Sequence, residues 1–281
     1  MNLTLKIFLI TNVFTISFLV FLGIMNMVVR MGLSFSLDIV FGPAVAGLFM
    51  GTALTLVIKK YINKIKTVES EKQNVLVETQ RDVIYKLGEI VESRSKETGL
   101  HVKRVAEYSK LLGTLHGLTE YDSEMLTNAS PMHDIGKVGI PDYILLKPGT
   151  FTPEEYEVMK SHTTIGYELL KSSSRELLRT AAIISYHHHE NWDGSGYPQG
   201  LKGRSIHLFG RITAIADVFD ALSVERSYKK SWSLERIIEF MKENKGVKFD
   251  PVLLDLFLHN LEKFIIIGKK FEDKFQIKTN Y

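Results

Sequence analysis

Histidines that lie beside carboxylates are the residues of this chain best suited to do chemistry. Nine histidines occur among the 281 residues, and several stand next to an acid or another histidine, or one helical turn from one. These residues are Glu97 with His101, His133 with Asp134, and the run His187, His188, His189 and Glu190. Nitrogen and oxygen ligands without sulfur favour Mn or Fe, with Zn, Mg or Ni as alternatives. The pattern therefore indicates a metal site.

The spacing of these residues limits which of them can share a cation. Glu97 and His101 are four residues apart, so on a helix both side chains point to one side. His133 and Asp134 are adjacent, about 100° apart around a helix, and can approach a pair of metals from one wall. Three successive helical residues span about 200°, so His187 is not expected to face the same site as both His188 and His189.

Each pattern also has a simpler interpretation. A solitary histidine is usually a surface or core residue, and we interpret His116, His207 and His259 in this way. The triple histidine could be a solvated tract. His133-Asp134 is harder to explain without a function, because polar groups inside an apolar run are costly to bury. Lys137 follows one turn later and adds a cation to the same stretch.

Composition excludes several classes of protein. The chain has no cysteine, which excludes a disulfide scaffold, a zinc ribbon and a thiol nucleophile. Its formal net charge is only +3, so a nucleic-acid polymer is not an expected partner. The glycines of residues 191–207 match neither a P-loop nor a dinucleotide fingerprint in spacing or context.

Helical periodicity dominates the part of the chain that must position the histidines. Thr152-Pro153-Glu154-Glu155 supplies an N-cap, a proline at the first helical position and a glutamate at the third, which predicts the start of a helix. Asp250-Pro251 predicts another start. Between them, residues 209–222 place apolar side chains on one helical face. We expect an all-α domain over residues 81–271, followed by a C-terminal tail at 272–281.

The N-terminal segment has a different composition. Residues 1–58 contain only three charged side chains, and the runs 7–29 and 39–58 are uncharged. Each run is long enough for a hydrocarbon core of about 30 Å, which predicts a two-helix transmembrane hairpin in a lipid bilayer. Lysines follow the second run at once, so the positive-inside bias places both termini in the cytoplasm. We therefore expect a multi-pass protein of the bacterial inner membrane.

A long polar helix is predicted between the hairpin and the domain. Residues 59–95 contain no proline and carry sparse apolar positions at spacings of three, four and seven. The seam is incomplete, because Lys72 and Thr79 fall on it. We interpret the segment as a linking helix that pairs as a coiled coil in a homodimer, and a solvated rod is the alternative.

Several motifs together identify a family resemblance. They are His133-Asp134-Ile135-Gly136-Lys137, Ile140-Pro141-Asp142, Leu146-Lys147-Pro148-Gly149, His188-His189-Glu190, Asp193-Gly194-Ser195-Gly196-Tyr197-Pro198 and residues 215–222. In this order they resemble the HD-GYP family, a branch of the HD-domain metal-dependent phosphohydrolases. The resemblance implies an all-helical phosphodiesterase that hydrolyses cyclic di-GMP to linear pGpG, and in some members on to GMP, at two or three iron or manganese ions.

The resemblance also implies roles for individual residues. The expected metal ligands are Glu97, His101, His133, Asp134, His162, His188, His189 and Asp217. Asp134 would bridge two metals, and Glu97 matches the glutamate of a three-metal subgroup. Lys137 would contact the scissile phosphate, and Arg226 and Lys229 match residues that bind the substrate's phosphates. The loop Gly196-Tyr197-Pro198 is expected to shape the site or to bind a protein partner.

The implied mechanism needs no protein nucleophile. Paired cations can activate water and clamp the phosphodiester during in-line attack. Two alternatives remain open: a receptor that binds cyclic di-GMP with little turnover, and a phosphohydrolase for another cyclic dinucleotide.

Overall fold

Helices account for all the regular structure found in this computed structural model, which describes residues 3–32, 37–95, 99–224 and 231–271. The α-helices are α1 Leu3–Arg30, α2 Leu37–Arg94, α3 Gly99–His116, α4 Glu120–Ala129, α5 Asp142–Leu145, α6 Pro153–Leu170, α7 Glu176–His187, α8 Leu208–Ser223, α9 Leu234–Glu243, α10 Pro251–His259 and α11 Leu261–Lys270. Short 3₁₀ helices span Ser130–Met132, Ile135–Gly139 and Gly203–Ser205. Over these described ranges there is no strand, so the all-α prediction is confirmed. The predicted tail at 272–281 lies outside them.

The chain divides into two compact units, Met1–Val77 and Glu78–Tyr281. The first contains α1 and the N-terminal part of α2. A membrane-spanning helix needs about 20 consecutive apolar residues, and among the residues described here no helix is both long enough and apolar enough to cross a bilayer. The predicted transmembrane hairpin and its contact with lipid are therefore not supported.

The predicted localisation, a multi-pass inner-membrane protein with both termini in the cytoplasm, is wrong. It rested on the lysines that follow residue 58. Flanking charge orients only a segment that already spans a bilayer, so it carries no information about location when no described helix meets that condition.

The core of the second unit lies where α3 and α8 pack together. Val105, Tyr108 and Leu112 follow the helical spacing along α3 and are fully buried. Residues of α8 at the same spacing, Ile212, Ile215 and Phe219, are also buried as the sequence predicted. Helices α4, α10 and α11 pack on α3. The buried apolar faces of α3 and α8 therefore form the centre of the core.

Two helices begin where capping residues predicted. At the start of α6, Glu155 N donates to Thr152 Oγ1 over 3.3 Å, and Thr152 N donates to Glu155 Oε2 over 2.8 Å. These two bonds form a capping box. At the start of α10, Val252 N donates to Asp250 Oδ1 over 2.9 Å. The caps set where α6 begins, and therefore which of its residues face the neighbouring elements.

Glycine permits the closest backbone approach in the second unit. A Cβ atom on Gly136, in the 3₁₀ helix Ile135–Gly139, would lie 1.8 Å from the His162 carbonyl oxygen and 2.5 Å from Gly166 N. On α6, a Cβ atom on Gly166 would lie 2.1 Å from Ser185 Oγ of α7. The missing side chains let the 3₁₀ helix, α6 and α7 touch, which draws together the histidines and the aspartate near these contacts.

Gly136→Ala should therefore destabilise the protein. The new methyl group meets backbone atoms, which cannot move aside as a side chain can, and overpacking of this kind costs about 1–3 kcal/mol or more. The free energy of unfolding in urea measures the effect. Gly139→Ala is the matched control, because its Cβ atom would meet only side-chain atoms of Ile165, the nearest at 3.0 Å. Equal stability of the two variants would contradict this account of the packing.

Candidate metal centre

Five separate parts of the second unit supply the predicted ligands. His101 lies in the first turn of α3, His162 on α6 and Asp217 on α8. His133 and Asp134 lie between two 3₁₀ helices, and His188 and His189 directly follow α7. The structure brings these seven side chains into one cluster. Most of them are buried, so the cluster lies inside the unit.

One half of the cluster is built around one oxygen of Asp134. Its Oδ1 atom lies 3.1 Å from His162 Nε2 and 3.5 Å from His188 Nε2. The two ring nitrogens are 3.5 Å apart. With His189, these residues place one potential ligand atom each within 4.8 Å of one another. Three imidazoles and a carboxylate can therefore converge on a single cation.

The other half lies on the opposite side of the same carboxylate. Asp134 Oδ2 is 3.3 Å from His133 Nε2. Asp217 Oδ1 is 3.6 Å from His101 Nε2 and 4.0 Å from His133 Nε2. Glu92, near the end of α2, also places a carboxylate oxygen within 4.8 Å of ligand atoms of His101 and His133. Asp134 thus stands between two groups of donors, with one oxygen facing each.

Three of the histidines are held in the same orientation. The Nδ1–H groups of His133, His162 and His188 donate to the carbonyl oxygens of the residues three positions earlier, over 2.9, 2.6 and 2.9 Å. A carbonyl oxygen only accepts a hydrogen bond, so Nδ1 carries the proton in each ring. The Nε2 atom is then left as the ligand atom, and in each ring it faces Asp134.

This arrangement leaves lone pairs facing one another inside the protein. Within the described part of the chain, the buried atoms His133 Nε2 and Asp134 Oδ1 make no hydrogen bond of good geometry. Unpaired buried polar atoms cost free energy. A cation would satisfy both, so the residues present fit a divalent metal.

The electrostatics of the cluster point the same way. Burial lowers the pKa of His133, but the carboxylates of Asp134, Asp217 and Glu92 outweigh it and raise that pKa to about 10. Burial raises the pKa of Asp134, but Lys137 and His133 hold it well below its usual value. Without a metal, His133 therefore stays protonated, and its positive charge lies where a cation is favoured.

Lys137 lies at the edge of the cluster. Its Nζ atom is 2.7 Å from Asp134 Oδ2 and donates to Glu92 over 3.2 Å. Arg94, on the last turn of α2, donates to the carbonyl oxygens of Lys137 and Val138, each over 3.0 Å. The end of α2 thus holds both the side chain and the backbone of Lys137.

The loop Gly196-Tyr197-Pro198 contacts the cluster through Tyr197. Its ring stacks on His189, with ring centroids 4.9 Å apart, and its backbone N–H donates to the His189 carbonyl oxygen over 3.1 Å. Glu190 accepts from Gln199 N and Leu201 N and so ties down the rest of the loop. The Tyr197–Pro198 peptide bond is cis. The loop therefore forms a wall of the site.

His187 does not contribute to the cluster. His187 turns away from its two neighbours, and its Nδ1 atom accepts from His207 N over 2.9 Å. Burial lowers the pKa of His187 to about 4, in keeping with this acceptor role. Glu97, Arg226 and Lys229 lie outside the described residues, so their assignments stay predictions.

Two buried carboxylates near the cluster were not predicted. Glu92 and Asp220 are each 1% exposed. Glu92 lies in a helix with many other acids, and Asp220 lies three residues after Asp217 in an apolar helix. An acid at a buried position of α8 was the one available signal for Asp220, whereas nothing in the sequence distinguished Glu92.

Comparisons with known proteins identify the family of this chain. Residues 86–253 match the HD domain family. A 3′3′-cGAMP-specific phosphodiesterase of Vibrio cholerae is 48% identical over 206 residues, which are 72% of this chain and 40% of that protein. A cyclic di-GMP phosphodiesterase of Thermotoga maritima is 41% identical over 212 residues, 74% of this chain and 57% of that one. The chain thus spans about half the length of these relatives.

A solved structure shows the fold alone. It is a crystal structure of a cyclic GMP-AMP-specific phosphodiesterase of V. cholerae, which superposes with a TM-score of 0.50 at 19% sequence identity. The superposition covers 68% of this chain and 50% of that one.

The proton on His133 predicts how the metal-free protein responds to pH. A histidine whose pKa is higher in the folded than in the unfolded state stabilises the fold below the unfolded value, and this contribution is lost as pH rises through the folded value. In a chelator, the melting temperature should therefore fall between pH 6.5 and about 10.

His133→Gln should flatten this decline, because the titrating group is gone. The control is His116→Gln, which changes an exposed histidine and should leave the slope unchanged. Identical slopes in all three proteins would contradict the electrostatic assignment.

Proposed function

Because the chain belongs to the HD domain family, we propose that it is a metal-dependent phosphodiesterase of the HD-GYP branch that hydrolyses cyclic di-GMP to linear pGpG. Further cleavage to GMP is part of the proposal. The observation that carries it is the placement of Asp134, whose two oxygens face separate groups of buried ligand atoms. Paired donor groups that share a carboxylate suit a two-metal phosphodiesterase site.

The relatives support this class of substrate. Two of them are named for cyclic di-GMP or 3′3′-cGAMP hydrolysis, at 41% and 48% identity. A second cyclic di-GMP phosphodiesterase, from V. cholerae, is 44% identical over 211 residues. The chain spans only part of each relative, so we propose this activity for it on the strength of the site and the relatives together.

Two groups of residues would hold the metals. His162, His188 and His189 would serve one position, and His101, His133 and Asp217 the other. Asp134 would serve both. Iron and manganese suit these nitrogen and oxygen donors. When bound, divalent cations in such a site lower the pKa of water and neutralise the charge that develops on the phosphodiester.

The protein's own cations would bind the substrate. Lys137 Nζ lies 2.7 Å from Asp134 Oδ2, so a phosphate oxygen near that carboxylate would be within its reach. Lys137 is thus the described residue best placed to donate to the scissile phosphate. Arg226 and Lys229 would bind the outer phosphate oxygens. Tyr197 would shape the wall beside His189, and the loop around it would be the surface for a protein partner.

A homodimer through the segment 59–95 remains part of the proposal. Several described apolar side chains on this part of α2, among them Ile65, Val75 and Leu76, are more than half exposed in the single chain. A coiled-coil partner would cover them.

A second candidate substrate is 3′3′-cGAMP. The observation in its favour is the 48% identity to a phosphodiesterase named as specific for it. Both compounds present the same phosphodiester linkages, and they differ in one purine base. The choice between them therefore depends on contacts to the bases.

One experiment separates the alternatives. The full chain, loaded with Mn²⁺ or with Fe²⁺ under anaerobic conditions, is given cyclic di-GMP and 3′3′-cGAMP in parallel, and products are resolved by chromatography. Conversion of cyclic di-GMP to pGpG supports the proposal. Turnover of 3′3′-cGAMP alone would select the second candidate. Binding without turnover would identify a receptor, and neither binding nor turnover would refute the proposal.

Asp134→Ala should abolish hydrolysis and lower the metal content by more than one ion per chain. A shared carboxylate serves two positions, so its loss should affect both. Elemental analysis of the purified variant measures the metal, and chromatography measures the product. Asp255→Ala, a change at a half-exposed aspartate, is the control and should leave both unchanged. Full metal content with persisting activity would show that the site is wrongly assigned.

Lys137→Met should keep the metal but slow the reaction. Removing one donor aimed at developing charge typically lowers kcat by about 10²–10³-fold. The measurement compares kcat and metal content with those of Lys110→Met, which removes an exposed lysine of α3. A normal rate would exclude Lys137 from contact with the scissile phosphate.

A further inference from the structure

Asp220 makes a set of contacts that the proposed function does not use. Its carboxylate is buried on α8, and Oδ2 accepts a hydrogen bond from His101 Nδ1 over 2.8 Å. Arg104, one turn after His101 on α3, donates to the same carboxylate twice, from Nε over 2.6 Å and from Nη2 over 2.9 Å. Both oxygens are therefore engaged.

His101 thus differs from the other held histidines. The Nδ1 atoms of His133, His162 and His188 donate to neutral backbone carbonyl oxygens of their own segments. The Nδ1 atom of His101 donates to a charged side chain 119 residues away in sequence. A carboxylate accepts more strongly than a carbonyl oxygen, and it makes the opposite ring nitrogen a better metal ligand.

The arrangement also determines which nitrogen of His101 faces the site. A carboxylate accepts a hydrogen bond, so Nδ1 carries the proton toward Asp220. The Nε2 atom then faces Asp217, whose Oδ1 atom is 3.6 Å away. Arg104, which is 1% exposed, offsets the charge of Asp220 and fixes its plane through two parallel bonds.

We propose that Asp220, clamped by Arg104, is a positioning residue that sets the tautomer of His101 and strengthens its grip on a metal ion. The inference rests on the proposed function only in requiring that His101 binds a metal. Asp220 itself need touch neither metal nor substrate.

A purely structural role is the alternative, in which Asp220 merely neutralises a buried arginine. Asp220→Asn alone does not separate the two, because it leaves Arg104 as a buried charge without its carboxylate and could prevent folding. The double variant Asp220→Asn, Arg104→Met removes that charge. It keeps the size of both side chains roughly constant and leaves an amide against His101.

The measurement is Mn²⁺ binding to the full chain, followed through the free Mn²⁺ signal in electron paramagnetic resonance, together with thermal unfolding of the metal-free protein. The double variant should unfold near the wild-type temperature yet bind Mn²⁺ at one position about 10–100-fold more weakly, as loss of such a partner typically does. His101→Gln should weaken the same position. Asp255→Asn is the control and should match the wild type.

The outcomes separate the inference from the function. If the double variant binds Mn²⁺ as tightly as the wild type, the positioning role is refuted while the proposed function stands. If the wild type itself binds no Mn²⁺, the proposed function is refuted, and the positioning role, which requires a metal on His101, is refuted with it.

A second measurement needs no folded variant of Asp220. In Zn²⁺-loaded wild-type protein labelled with ¹⁵N-histidine, His101 should show a proton on Nδ1 and a metal-bound Nε2. The signal is assigned by its absence in His101→Gln. A proton on Nε2 would overturn the inference.

Discussion

The candidate metal centre is arranged around one buried carboxylate whose two oxygens face different imidazole groups. Asp134 and its neighbours bring lone pairs together where water is excluded, which is unfavourable unless a cation is present. Two cationic side chains offset this cost. Lys137 lies beside Asp134, and Arg104 lies beside Asp220. Backbone carbonyl oxygens accept hydrogen bonds from the Nδ1 atoms of three histidines and so fix the orientation of their rings. The helices pack closely enough to keep this unfavourable arrangement from relaxing.

Much of this could be read from the sequence. Capping residues predicted the starts of α6 and α10, and apolar spacing predicted the buried face of α8, because both signals are local. The metal ligands were identified by resemblance to family motifs rather than by geometry. Glu92 and Asp220 were missed for the same physical reason: each acts through a contact between residues far apart in the chain. Such a contact exists only after the helices have packed.

The N-terminal segment shows where composition misleads. An uncharged run of sufficient length is necessary for a spanning helix, but it does not alone establish one, and the described helices do not qualify. The substrate poses a similar problem. The cluster would engage phosphodiester linkages that cyclic di-GMP and 3′3′-cGAMP share, so its metal ligands do not distinguish the two compounds. Discrimination has to come from side chains that meet a base, and those are not the ones that the metal motifs specify.

The end of α2 ties the position of Lys137 to the position of a helix. Gly88 lets α2 approach so closely that a Cβ atom there would lie 2.5 Å from the Pro131 carbonyl oxygen, and Arg94 and Glu92 then hold Lys137 from two sides. A slip of α2 by one residue would move these groups 1.5 Å along its axis and about 100° around it. None of the three contacts would survive such a step. The alignment of Lys137 with Asp134 therefore depends on the rotation and the axial position of the last turns of α2.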